Sequence, residues 1–122
     1  MRITRSSDIA STPMEAEHFS GPATRQDFGR VEQPALSPLV VSFEAGARTS
    51  WHRHGDGQIL FVLDGRGRVA ARDAGEAEIG PGDCVYAPAG EEHWHGAAEG
   101  ASMRHIALSF GETEWLEPVE GS

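Results

Sequence analysis

The chain has 122 residues, enough to bury one hydrophobic core and too few for two. Nineteen acidic residues against ten basic ones give a formal charge of −9, so the basic field that holds a nucleic-acid backbone is missing. All ten basic residues are arginines, which excludes a lysine Schiff base, and Cys84 is the single cysteine, which excludes an internal disulfide or a multi-cysteine metal site.

No run approaches the roughly 18 consecutive apolar residues of a membrane helix, and the stretch from Met1 to Thr12 lacks the apolar segment of a secretory signal. A soluble, cytoplasmic protein with neither nucleic-acid nor membrane partners is expected. Residues 1–16 are weakly apolar and without periodicity, and read as a flexible N-terminal arm; residues 17–122 read as a single domain. Short apolar runs then follow in order: Phe28 to Val31, Leu36 to Glu44, Arg48 to His54, Gln58 to Leu63, Arg68 to Arg72, Glu76 to Ile79, Cys84 to Ala87 and Met103 to Phe110. Each has strand length, and they recur about every ten residues between Gly, Pro and Asp-Gly turns, the pattern of an all-β antiparallel sandwich or barrel.

Alternation assigns faces to three of these strands. Leu39, Val41 and Phe43 share one side and line either a substrate pocket or the core. From Ile59 to Leu63 every residue is apolar, so both faces are expected to be covered, the outer one by a second sheet or a second subunit. Met103, His105, Ala107 and Ser109 form a mixed polar face that suits a cavity wall. On that face His105 is either a proton carrier or a buried histidine bonded to a neighbour, and Ser109 either binds substrate or is solvated. Cys84 is expected to be a small buried hydrophobe.

Five of the six histidines lie between Trp51 and Ile106, and four of them form two His-x-His pairs, His52 with His54 and His93 with His95. Residues two apart on a strand point the same way at about 7 Å, a span that two imidazoles can close onto one ion. One such pair alone on a strand is more often surface decoration than a metal site. Trp51 and Trp94 each precede a histidine of a pair and should point away from it. Arg48 has the parity of His52 and either binds an anion near the site or forms a surface ion pair.

Gly46, His52, His54, Gln58 and Gly65, followed by Gly82, Pro88, Gly90 and His93, resemble in spacing the two paired motifs of the cupin superfamily, over the stretch from Gly46 to Ala97. The resemblance implies a double-stranded β-helix, the cupin jelly-roll barrel, with one divalent metal per subunit held by His52, His54, Gln58 and His93. Gln58 stands where most cupins carry Glu. Three neutral imidazoles and an amide oxygen leave the ion's charge uncompensated, which favours Lewis-acid chemistry over oxygen activation.

The run from Gly46 to His52, Gln58 and the run from His93 to Ala98 further resemble the small bacterial cupin hydroxynitrile lyases, which are manganese-containing homo-oligomers. That likeness implies Mn(II), with Fe(II), Ni(II) and Zn(II) as alternatives, and a homodimer or larger homo-oligomer. It also implies a Lewis-acid lyase on a small carbonyl-type substrate, with cyanohydrin cleavage or synthesis, as of mandelonitrile, the first expectation. His105 and His95 are the candidate proton carriers; His95 is alternatively a hydrogen-bond donor behind the ligands. Dioxygenation, isomerisation or ring opening of a small carbonyl or enediol is the alternative chemistry, and a non-catalytic binding barrel the alternative to catalysis.

Overall fold

The computed structural model describes residues 4–30 and 34–121. Its strands, in chain order, are β1 (Thr12–Pro13), β2 (Phe19–Ser20), β3 (Ala23–Asp27), β4 (Leu36–Phe43), β5 (Arg48–Thr49), β6 (His52–His54), β7 (Gln58–Gly65), β8 (Gly67–Ala71), β9 (Gly75–Ile79), β10 (Cys84–Ala87), β11 (His93–Ala97), β12 (Met103–Phe110) and β13 (Thr113–Trp115). One sheet runs β1-β3-β4-β12-β7-β10; the other runs β13-β6-β11-β5-β2, with β8 on β11 and β9 on β8. Every pairing is antiparallel, and the two sheets form the expected jelly roll. Among the described residues no helix is long and apolar enough to cross a membrane.

Register explains where the chemistry sits. Across β3, β4, β12 and β7, one inward row is Ala23, Phe43, Met103 and Gly65; further rows contain Val41 beside His105, then Leu39, Ala107 and Leu60, then Ser109 beside Gln58. On the facing sheet β11 runs from Ala97 through His95 to His93, with the same inward parity. Apolar burial therefore concentrates at one end, where Ala23, Val41, Phe43, Ala47, Val62, Ile79, Ala97 and Met103 form the core. The polar inward positions gather at the other end.

β11 and β5 approach each other closely at Gly96, where a Cβ would overlap the Ala47 carbonyl oxygen and Arg48. Gly96→Ala is expected to destabilise the fold by about 3 kcal/mol, the upper part of the range for overpacking. A lowered urea midpoint at unchanged slope would register it.

Four local expectations are corrected. The strand read at Phe28 to Val31 is instead Ala23–Asp27; the Asp27 carboxylate accepts the Gly29 N–H at 2.8 Å, and Gly29 has φ 87°, so the chain turns there. Val31 lies outside the described residues. The run from Arg48 to His54 divides at Ser50 and Trp51 into β5 and β6. Arg48 consequently loses its parity with His52, lies 5.1 Å from the Trp94 ring, and donates to the Glu120 carbonyl. Cys84 is exposed, because β10 pairs Val85 with the buried Leu60 and so points Val85 inward.

Trp94 and Trp51 do point away from the histidines, Trp94 between Arg48 and Arg68 and Trp51 beneath Arg72. Leu60 and Val62 are buried, while Phe61 and Leu63 on the outer face are 42% and 40% exposed. Within the stretch read as the arm, β1 pairs with β3, and Gln26 Nε2 donates to the Ser6 and Ile9 carbonyls.

Candidate metal centre

His52 and His93 face each other across β6 and β11, with ring centroids 4.4 Å apart. His54 and His95 extend the array, and all four are buried together with Gln58 and His105. The nitrogens of His52, His93 and His95 that could hold one metal ion lie within 4.8 Å of one another. His54 packs 5.6 Å from His93. Five of the six predicted site residues with imidazole or amide groups thus converge directly, and His105 stands behind His95.

Hydrogen bonds fix which nitrogens carry lone pairs. His52 Nδ1 donates to the Ser50 carbonyl and His93 Nδ1 to the Glu91 carbonyl, each at 2.9 Å. A carbonyl only accepts, so in the neutral rings both Nε2 atoms are unprotonated. Gln58 Nε2 donates to Ser109 Oγ at 3.0 Å, which turns Gln58 Oε1 toward His93 Nε2 at 2.9 Å. Two acceptors therefore face each other. A cation reconciles that contact, and the unpartnered, buried Nε2 of His54 offers a further lone pair while its Nδ1 lies 3.0 Å from Thr113 Oγ1. The residues present fit a divalent metal.

Burial keeps these rings neutral, as ligands must be. It holds His52 and His95 well below the ordinary histidine range, with neighbouring imidazoles adding to the effect. His93 is lowered by burial. His54 falls to about 4 through burial and then His93, and His105 to about 4 through burial.

His52, His54, Gln58 and His95, but not His93, form part of the wall of a cavity of about 290 Å³ lined also by Met14, Glu15, His18, Phe19, Arg25, Leu39, Val41, Thr49, Ala107, Ser109, Thr113 and Trp115. Leu39, Val41 and Ser109 are among the residues that line it. Phe43 does not; it is 2% exposed in the core, against the edge of His95 at 6.0 Å and beside His105 at 5.4 Å. His105 is also outside the lining and reaches the cavity only through His95, whose Nδ1 lies 3.1 Å from His105 Nε2.

Thr49 and Thr113, which brace the histidines, and His18, stacked on Trp115 at 4.3 Å, were not singled out by sequence reasoning. The alternation of Thr113 and Trp115 after the Gly111 turn was the available signal.

A family model described as the cupin domain matches residues 39–109. Over 124 aligned residues the chain is 39% identical to the (R)-mandelonitrile lyase of Granulicella tundricola, covering 98% of this chain and 95% of that protein. A cupin-like protein of Thermotoga maritima, of solved structure, is 34% identical with a TM-score of 0.85, over 90% of this chain and 87% of that one. A shorter likeness, 35% over 65 residues, joins 51% of this chain to 36% of an acireductone dioxygenase of Rhodopseudomonas palustris. The matched segment spans both His-x-His pairs, Gln58 and His105, and the chain belongs to the cupin family.

Proposed function

We propose that the protein is a metal-dependent lyase that cleaves and forms cyanohydrins of small, largely apolar aldehydes. The observation that carries this reading is a charge-neutral set of donors, imidazoles with one amide and no carboxylate among them, of which His52, His54 and Gln58 line a cavity that also presents the apolar Met14, Phe19, Leu39, Val41, Ala107 and Trp115. The full-length likeness to a protein named (R)-mandelonitrile lyase supports the substrate class. His52, His54, Gln58 and His93 hold the divalent ion, Mn(II) being the one that the sequence resemblance implies. When bound, the ion supplies Lewis acidity toward a carbonyl or hydroxyl oxygen.

The chain's own residues do the rest. Leu39, Val41, Phe19 and Trp115 take the apolar side chain of the substrate and exclude water. His95 Nε2 is buried without a protein partner and belongs to a ring that lines the cavity. With His95 Nδ1–H donating to His105 Nε2, that Nε2 is a lone pair able to take the cyanohydrin hydroxyl proton. The oxygen's electrons then form the C=O bond, the bond to the nitrile carbon breaks, and the proton leaves with cyanide as HCN. His105 is a positioning residue that sets the tautomer of His95.

The test separates ligands from proton carriers. Purified without added metal and reloaded with Mn(II), the native protein is expected to cleave mandelonitrile. His54→Ala should lose stoichiometric metal. His95→Gln should keep the metal and lose about 10²–10⁴-fold in kcat, the usual contribution of a positioned proton carrier. Metal lost from His95→Gln but kept by His54→Ala would reverse the two assignments. Full metal with no cleavage by the native protein would sink the lyase reading.

A second copy of the chain is the proposed partner on the outer face of β4, β12, β7 and β10. Two cross-strand rows there are apolar or uncharged, Val40, Ile106, Phe61 and Cys84 beside Pro38, Leu108, Ile59 and Tyr86. The exposed Arg104–Asp64 pair on the same two central strands, 3.0 Å apart, offers opposite charges to a two-fold mate. Light scattering at micromolar concentration is expected to give at least twice the chain mass, and Phe61→Asp the mass of one chain; a native monomer would refute the pairing.

A further inference from the structure

A second cavity, of about 160 Å³, is built mostly by other strands than the first, with β7 and β11 contributing to both. Its walls come mainly from β7, β8, β9 and β10 with His93 of β11, whereas β2, β3, β4, β5, β6, β12 and β13 enclose the first together with Gln58 of β7 and His95 of β11. It exists because β9 pairs only with β8 and β10 only with β7 among the described strands, so the two sheets stand apart along that side. Ala71, Ala77 and Ala87 face the gap and leave it open, with Leu60 and Val69 between them.

The polar groups on the wall are few and mostly engaged. Gln58 and His93 line this cavity, but Gln58 Nε2 is bonded to Ser109, its Oε1 meets His93 Nε2, and His93 Nδ1 is bonded to the Glu91 carbonyl. They offer a ligand carbon surface rather than hydrogen bonds. Glu91 is the one charged residue in the lining, and its sign disfavours an anion. An apolar-lined space of about 150 Å³ is known to admit benzene, so the size and the chemistry of the wall agree.

We infer that this cavity is a second ligand site, for a small uncharged apolar molecule of benzene's size, separated from the metal centre by the contact between His93 and Gln58. The site does not depend on which reaction the metal centre performs. Gln58 lines both cavities, so an occupant here touches the residue that closes the metal centre on this side.

Fluorobenzene is the probe, titrated into metal-free protein and followed by fluorine NMR. Saturable binding to the native protein is expected. Ala77→Leu, a change at an exposed position on β9 that fills the gap, should weaken it at least tenfold with the unfolding temperature held. If that variant does not fold, Ala71→Leu fills the same space from β8. Leu39→Trp, which obstructs the first cavity, should leave probe affinity within twofold of native. Absence of saturable binding, less than tenfold weakening by the filling variant, or weakening by Leu39→Trp beyond twofold would overturn the site.

Discussion

His52→Ala is expected to leave the purified protein with less than about a tenth of its native metal and to lower kcat/KM for mandelonitrile cleavage by at least about 10³-fold, since metal-based charge stabilisation is worth several kcal/mol. His52 is 1% exposed and central to the array, its ring 4.4 Å from His93, 5.1 Å from His54 and 4.8 Å from Trp115. Its Nδ1 is committed to the Ser50 carbonyl, so its Nε2 serves no structural bond that alanine would break. The truncation removes one lone pair from the set and opens a void where the ring was.

The void also costs stability, as removal of a large buried side chain does, by about 2–5 kcal/mol. Loss of activity alone therefore does not distinguish a missing ligand from a loosened barrel. Unfolding midpoints taken with and without metal do. The native protein should gain stability on loading, because a ligand that binds only the folded state adds to it. The variant should gain almost none. A variant that binds metal as the native protein does would remove His52 from the centre.

The parts of this site that were legible in the sequence are those governed by the two-residue period of a strand. His52 and His54, and His93 and His95, had to share faces, and so did Leu39 with Val41 and His105 with Ser109. What was not legible is the relation between strands. Ala23–Asp27 carries Thr, Arg, Gln and Asp after its alanine, a sequence with no apolar alternation; it is a strand because β4 offers it a partner. The apolar Phe28 was the more persuasive residue, yet the Asp27 side chain caps a turn at that point.

The same distinction explains Cys84 and Arg48. Their strand character was readable, but their direction depended on register with β7 and on a break at Ser50 and Trp51. Phe43 shares parity with Leu39 and Val41, and only its depth in the barrel, beside Met103, separates core from cavity. His105 illustrates the limit most directly. Its face was right, while its position behind His95 needed the distance between two strands that sequence does not carry.

Metal-free protein is expected to lose stability steadily as the pH falls from about 6.5 toward 4. Burial lowers His105 to about 4 in the folded chain, against about 6.5 for an unperturbed histidine. Between those values the unfolded chain binds a proton that the folded chain refuses, so folding is fully favoured above about 6.5 and is penalised increasingly below it. At pH 5 this amounts to about 2 kcal/mol for His105 alone. His52, His54, His93 and His95 are all shifted in the same direction, and a domain of this kind has only about 5–15 kcal/mol in total.

Carboxylates cannot imitate this window. Glu15 and Glu117 sit below their ordinary value, Glu117 through its hydrogen bond from Arg72, and groups lowered in that way lose their contribution only under about pH 4.5. Urea midpoints measured at pH 7.5 and pH 5.0 in the presence of a chelator should differ by several kcal/mol in unfolding free energy. His105→Leu should reduce the difference, since one buried imidazole is gone. With Mn(II) present stability should be higher at each pH, while the loss still begins near pH 6.5, because the unfolded chain's imidazoles set its onset. Equal midpoints at the two pH values would mean that these imidazoles reach solvent and would remove the dry, neutral wall on which the Lewis-acid reading stands.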